Sequence, residues 1–133
     1  MSGRVHRLTV RVYYEDTDFS GVVYHANYLR FLERGRTETL RDAGLDHASL
    51  FAAEPPLALA VARMEIDFRR PARMDDLVEV ETRVAASGGA SLVMHQRLLR
   101  GDDVLVEATV RVAAVSRGRA TRLPAGLAAR LAG

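Results

Sequence analysis

Between Leu77 and Ala85 apolar and charged residues take turns, with Val78, Val80 and Val84 on one side and Glu79, Glu81 and Arg83 on the other. A repeat of two marks a strand with one buried face. From Val5 to Tyr14, the set Leu8, Val10, Val12 and Tyr14 opposes Arg7, Thr9, Arg11 and Tyr13. The segment Leu57 to Phe68 follows Pro55-Pro56 and sets Met64, Ile66 and Phe68 against Arg63, Glu65 and Asp67. From Val104 to Val115, Val104, Val106, Val110 and Val112 oppose Glu107, Thr109 and Arg111. Leu92 to Arg100 is more evenly apolar, as suits a central strand or one that faces a partner. The links Ser87-Gly88-Gly89 and Gly101-Asp102-Asp103 are short and rich in turn formers, which predicts antiparallel hairpins. Parallel crossovers need longer connections.

After the first strand the period changes. Tyr28, Leu32, Gly35 and Thr39 fall at helical spacing, and Phe31, Leu40 and Ala43 widen the stripe. Arg30, Glu33, Arg34, Arg36, Glu38 and Arg41 supply charge elsewhere. The pattern predicts a helix from Asn27 to Ala43, closed by Gly44. At about 1.5 Å per residue it is roughly 25 Å long, enough to cross a small sheet. Gly35 costs about 1 kcal/mol of helix propensity, so close approach of helix and sheet is its expected compensation. Leu123 to Leu131 reads as a short terminal helix. One strand, one helix and four strands give an α+β domain of two layers, a five-stranded antiparallel sheet on one long helix. The reading is a single domain over 1–133, with its core at about 5–116 and a tail at 117–133. Open edge strands are a liability, and a symmetric dimer that pairs edges is the simplest remedy.

Composition narrows the chemistry. The 133 residues are 48% hydrophobic and 27% charged, and contain no Cys, which excludes disulfides, thiolate chemistry and Cys-based zinc sites. All 19 basic residues are Arg, and the formal net charge is +2. They are interspersed with acids rather than gathered in a stripe, so nucleic acid is not an expected partner. Local Arg clusters suit phosphate. His6, His47 and His95 show no metal-ligand spacing. No secretory leader or membrane-length apolar run is visible, and the expected location is cytoplasmic.

The stretch YEDTDFSGVVYHANY, residues 14–28, crowds Glu15, Asp16 and Asp18 ahead of the helix. A helix start offers free backbone N–H groups and a positive dipole end. A carbonyl held there is polarised, and a nearby carboxylate such as Asp18 attacks it or takes a proton from water. Gly21 permits a tight turn or close approach of substrate. The bland alternative stays open, because acids before a helix also cap it and favour its dipole. Asp16 fits a turn-binding Asx role.

The runs RVYYEDTD and GVVYHANYLRFLERGRTETLR, with FRRPARMDDLVEVET and SLVMHQRLLRGDDVLVEATV, closely resemble the Tol-Pal-associated acyl-CoA thioesterases. These belong to the 4-hydroxybenzoyl-CoA thioesterase-like branch of the hotdog superfamily, and the resemblance spans roughly residues 8–116. It implies a hotdog fold, a curved antiparallel sheet wrapped around one long central helix. It also implies a dimer with active sites at the subunit interface, often assembled into a homotetramer. The implied reaction is hydrolysis of an acyl-CoA thioester to free acid and coenzyme A without metal or other cofactor. Asp18 aligns with the catalytic carboxylate, as nucleophile or general base, and the backbone N–H of His25 with the carbonyl-polarising donor. Tyr14, Phe19, Gly21, Val22, Tyr24 and Asn27 then border the substrate. Small residues usually follow the catalytic Asp; Phe19-Ser20 stands there instead, so the acyl pocket is expected to be reshaped. For the phosphates of coenzyme A the candidates are Arg69 and Arg70, then Arg73, Arg97 and Arg100, with Ser91 beyond the Gly88-Gly89 turn. A different class of function, a non-hydrolytic adaptor near the cell envelope that binds acyl-CoA or acyl carrier protein, fits the same resemblance.

Overall fold

The computed structural model describes residues 4–132. Strand β1 (His6–Arg11) leads through a 3-10 turn (Tyr14–Asp16) to helix α1 (His25–Asp42) and a short helix α2 (His47–Ala52). Strands β2 (Ala58–Phe68), β3 (Leu77–Gly88), β4 (Ser91–Arg100) and β5 (Asp103–Ser116) follow, then β6 (Arg119–Ala120) and helix α3 (Leu127–Ala132). The main sheet runs β1-β3-β4-β5-β2, with β6 paired to β5. Its pairings are antiparallel throughout. The sheet curls around one long helix, as the sequence led us to expect.

The burial pattern explains the wrap. Tyr28, Phe31, Leu32, Gly35, Thr39 and Leu40 form the buried stripe of α1. They meet Val78 and Val80 of β3, Leu92, Met94 and Leu98 of β4, and Val106, Val110 and Val112 of β5. Gly35 marks the closest approach. A Cβ built there would sit 2.5 Å from Val80 Cγ1, so only glycine fits this crossing. Polar groups cluster beside it. Gln96 Nε2 donates to the Leu32 carbonyl at 2.8 Å and to Thr82 Oγ1 at 2.9 Å, and its Oε1 accepts from Arg36 at 3.0 Å.

Several expectations shift. β1 stops at Arg11, because the Val12 amide turns aside to the Asp76 carbonyl and the Tyr13 amide to the Asp16 carboxyl. Tyr14, expected on the inner face of the strand, is therefore 79% exposed. Arg36, expected on the charged outer face, is buried, since it lies four residues from both Leu32 and Leu40 on the stripe itself. The sheet gains a sixth strand, the two-residue β6, where Arg117 and Gly118 take positive φ and turn the chain back. α2 was not expected; the Asp46 carboxyl caps it by accepting the Ser49 amide at 2.7 Å. The tail beyond 116 joins the core through Leu127 and Leu131. Strand β2 lies at an edge of the sheet and is largely exposed, Val61 and Phe68 by about half. Among the described residues, no helix is long and apolar enough to cross a membrane.

Candidate active site

The chain between the 3-10 turn and α1 doubles back on itself. Thr17 bridges Val23, and the Tyr24 amide donates to the Asp16 carbonyl at 3.0 Å. Asp18 sits at the tip, where its amide donates to the Val22 carbonyl and its carbonyl accepts from Gly21. Gly21 has φ +85, a conformation that strains any residue with a Cβ. The tip is fastened to the segment after β2: Val22 bridges Arg73, and the Val23 amide donates to the Ala72 carbonyl at 2.8 Å. The buried Tyr28 hydroxyl, one turn into α1, accepts the Ala72 amide at 2.8 Å.

Asp16 is the hub of this turn. Its buried carboxyl accepts the Tyr13 amide at 2.8 Å and the Asn27 side-chain amide at 2.7 Å. The strand end and the helix start are thereby tied to one group. The amide side chain of Asn27, a candidate substrate contact, is given to Asp16.

Asp18 behaves differently. Its Oδ1 accepts the Ser20 hydroxyl and, at 2.8 Å, the Ser20 amide. The hydroxyl first and the amide second hold this carboxyl below its ordinary value. Among the described residues it forms no ion pair. A partly exposed carboxylate without a counter-cation is free to act as base or nucleophile.

His25 opens α1, so its backbone N–H has no carbonyl one turn back within the helix. Its ring lies 4.6 Å from Tyr24 and 6.1 Å, edge-on, from Phe68, which also packs 5.7 Å from Tyr28. Phe68 was not among the expected site residues; its signal was an aromatic at the end of the apolar face of a strand, left about half exposed. Phe19 points fully into solvent and narrows no pocket within the protomer.

Beyond the turn, Arg69 pairs with Glu107 at 2.6 Å, Arg70 with Asp103 at 3.2 Å, and Arg100 with Asp76 at 2.8 Å. Arg97 pairs with Glu81. Ser91 is not brought here. It opens β4 nine positions from Arg100, about 30 Å away at strand rise. Among the described residues no group of three His, Cys, Asp or Glu side chains is placed to hold a metal ion.

Residues 20–117 match the family model described as Thioesterase superfamily. The chain belongs to the thioesterase superfamily. This thioesterase-family chain is 49% identical to the acyl-CoA thioesterase YbgC of Haemophilus influenzae over 83% of its own length and 80% of that protein. It is 43% identical to the acyl-CoA thioester hydrolase YbgC of Escherichia coli O6:H1, over 86% and 85% of the two chains. The crystal structure of a protein from Bartonella henselae designated Probable Thioesterase superposes with a TM-score of 0.88 at 46% identity, covering 91% of this chain and all of that one. The hotdog architecture is thus the thioesterase one, and the hairpin bearing Asp18 falls largely inside or just before the matched segment.

Proposed function

We propose that the protein hydrolyses acyl-CoA thioesters to a free acid and coenzyme A. The observation that carries the mechanism is the Thr17–Val23 hairpin, which presents at its tip an Asp18 carboxyl held below its ordinary value, in the same turn that runs into the start of α1. The thioester carbonyl oxygen takes the His25 amide and the positive end of the helix, where negative charge grows during attack. Asp18 either attacks the carbonyl carbon, giving an anhydride that water opens, or removes a proton from the attacking water. Both routes expel the thiolate of coenzyme A and draw on no metal or redox group. Arg69 and Arg70 take the phosphates. Their exposed pairs with Glu107 and Asp103 are worth at most about 1 kcal/mol each, so exchange for phosphate costs little.

The working unit in this reading is a dimer joined along the open edge of β2, itself able to form a tetramer in the cytoplasm. Antiparallel pairing of two β2 edges sets the Ala58 end of one protomer beside the Phe68 end of the other. Ser91 pairs with Ala113, which pairs with Ala60, so it lies at the Ala58 end. A partner therefore supplies the Ser91 that one chain places too far away. An acyl chain carried on acyl carrier protein and an assignment near the Tol-Pal system remain part of the proposal through the sequence resemblance alone.

Thiol release from a panel of short, long and aromatic acyl-CoAs tests it, with wild type and Asp18→Asn side by side. Wild type should release thiol, and the variant should bind acyl-CoA yet lose at least about 10²-fold in turnover. Near-normal turnover by Asp18→Asn would remove Asp18 from the chemistry. Binding with no release by wild type across the panel would make the protein an adaptor instead.

A further inference from the structure

Ala72 lies in the connection between β2 and β3 and is fully buried. Two bonds hold it against the start of α1. Its amide donates to the Tyr28 hydroxyl at 2.8 Å, and its carbonyl accepts the Val23 amide at 2.8 Å. Val23 and Tyr28 stand on either side of His25 in the chain. The backbone from Val23 to Tyr28, the Tyr28 side chain and Ala72 therefore close a ring that contains His25. The Tyr28 side chain is itself fixed. It is 4% exposed, lies edge-on to Phe31 at 6.4 Å and packs 5.7 Å from Phe68.

The connection is anchored from behind as well. The Arg100 guanidinium donates to the Pro71 carbonyl at 3.3 Å and to the Asp76 carboxyl at 2.8 Å, and that carboxyl also accepts the Arg73 amide at 2.9 Å. The Val12 amide donates to the Asp76 carbonyl, and the Val12 carbonyl accepts the Asp75 amide. Ala72 is thus a fixed point between the strand ends and the helix start. The amides around His25 are committed: Val23 to Ala72, Tyr24 to the Asp16 carbonyl, Asn27 to the Tyr24 carbonyl. The His25 amide has no backbone acceptor among the described residues, so the bonds of its neighbours set its direction. A donor stabilises charge on a carbonyl oxygen only when aimed at it, and about 1 Å of misplacement can cost 10²-fold in rate.

We infer that the Tyr28 hydroxyl is a positioning group: acting through Ala72, it fixes the direction of the His25 N–H toward an acyl carbonyl. The inference deepens the hydrolysis reading and rests on its carbonyl-polarising donor. A bond that served the fold alone would give a buried N–H its acceptor and leave the carbonyl unaffected.

The test reads the carbonyl without turnover. Its probe is the ketone analogue of butyryl-CoA, with a methylene in place of the thioester sulfur and carbon-13 at the carbonyl, followed by infrared difference spectroscopy. On wild type the carbonyl band should move to lower frequency. Tyr28→Phe keeps the aromatic ring and removes the acceptor; most of that move should be lost. Its kcat should fall about 10- to 100-fold with KM close to wild type, the sign of an interaction made mainly in the transition state. Thr39→Ala truncates a buried side chain toward the far end of the same helix. It should lower the urea midpoint and leave the band and kcat as in wild type. A full band shift in Tyr28→Phe would overturn the positioning role whatever happens to kcat, and so would equal losses in Tyr28→Phe and Thr39→Ala. A band that does not move on wild type would overturn the His25 donor and this role with it. A wild type that shifts the band but releases no thiol from the acyl-CoA panel would end the hydrolysis reading and leave the positioning role standing.

Discussion

Ser20 sets the charge state on which Asp18 depends. Its hydroxyl and amide both donate to the carboxyl and stabilise the ionised form, so the proton leaves at lower pH than from an ordinary aspartate. Ser20→Ala removes the larger of the two causes. The carboxyl then holds its proton to higher pH, and the acid limb of the kcat/KM profile should move upward while the rate on the alkaline side of that limb stays close to wild type. Ser20→Thr, which keeps a hydroxyl, should leave the limb in place. A limb unmoved by Ser20→Ala would mean that another group sets it. Asp16 plays the opposite part, structural rather than reactive. Asp16→Ala leaves the Asn27 amide and the Tyr13 N–H without their acceptor, and should cost about 1–3 kcal/mol in urea unfolding. The tight turn at Gly21 and the Asx role of Asp16 were legible because the bonds that shape them, from Gly21 to Asp18 and from Asp16 to Tyr13 and Asn27, lie within a dozen residues. The tie from the Tyr28 hydroxyl to Ala72 was not, since 44 residues separate the two and no local pattern announces the pairing.

Helix α1 shows what a period reveals and what it hides. Its apolar stripe and the role of Gly35 followed from spacing, and the 2.5 Å clash awaiting any Cβ there supplies the reason. Gly35→Ala therefore sets two effects against each other. The helix gains about 1 kcal/mol of propensity, while overpacking against Val80 costs typically 1–3 kcal/mol. The clash meets a branched methyl on a central region of the sheet, so the second effect should prevail and the urea midpoint should fall. Adding Val80→Ala opens the space, and the pair should be more stable than the sum of the single changes predicts, by about 0.5 kcal/mol or more. Strict additivity would show that the two side chains do not meet. Arg36 escaped the same reading because charge was taken as a sign of solvent, although its position between Leu32 and Leu40 is on the stripe. Helix α2 and strand β6, at six and two residues, are too short for any period to register; their causes are a capping Asp46 and a turn at Gly118.

At the scale of the molecule, alternation gave the strands and the glycine turns gave two hairpins, but neither says which strands end up outermost. The order β1-β3-β4-β5-β2 leaves the eleven residues of β2 with one side unpaired and much of its apolar surface in water. An exposed strand of that length is a template for another chain. In the proposed dimer a second copy would also complete the site, because antiparallel pairing of the β2 edges would bring Ser91 of one protomer toward the Asp18 turn of the other. A lysine on the edge opposes such pairing, so Val61→Lys should convert dimers to monomers in sedimentation equilibrium at micromolar concentration, with the secondary structure intact. Hydrolysis should fall with the mass, by at least about tenfold, equivalent to about 1.4 kcal/mol of lost transition-state binding. Ser91→Ala in an otherwise intact dimer separates assembly from contact: it should weaken acyl-CoA binding without changing the mass. A Val61→Lys monomer with full activity would mean that one chain holds a complete site, and the edge of β2 would then need a different explanation.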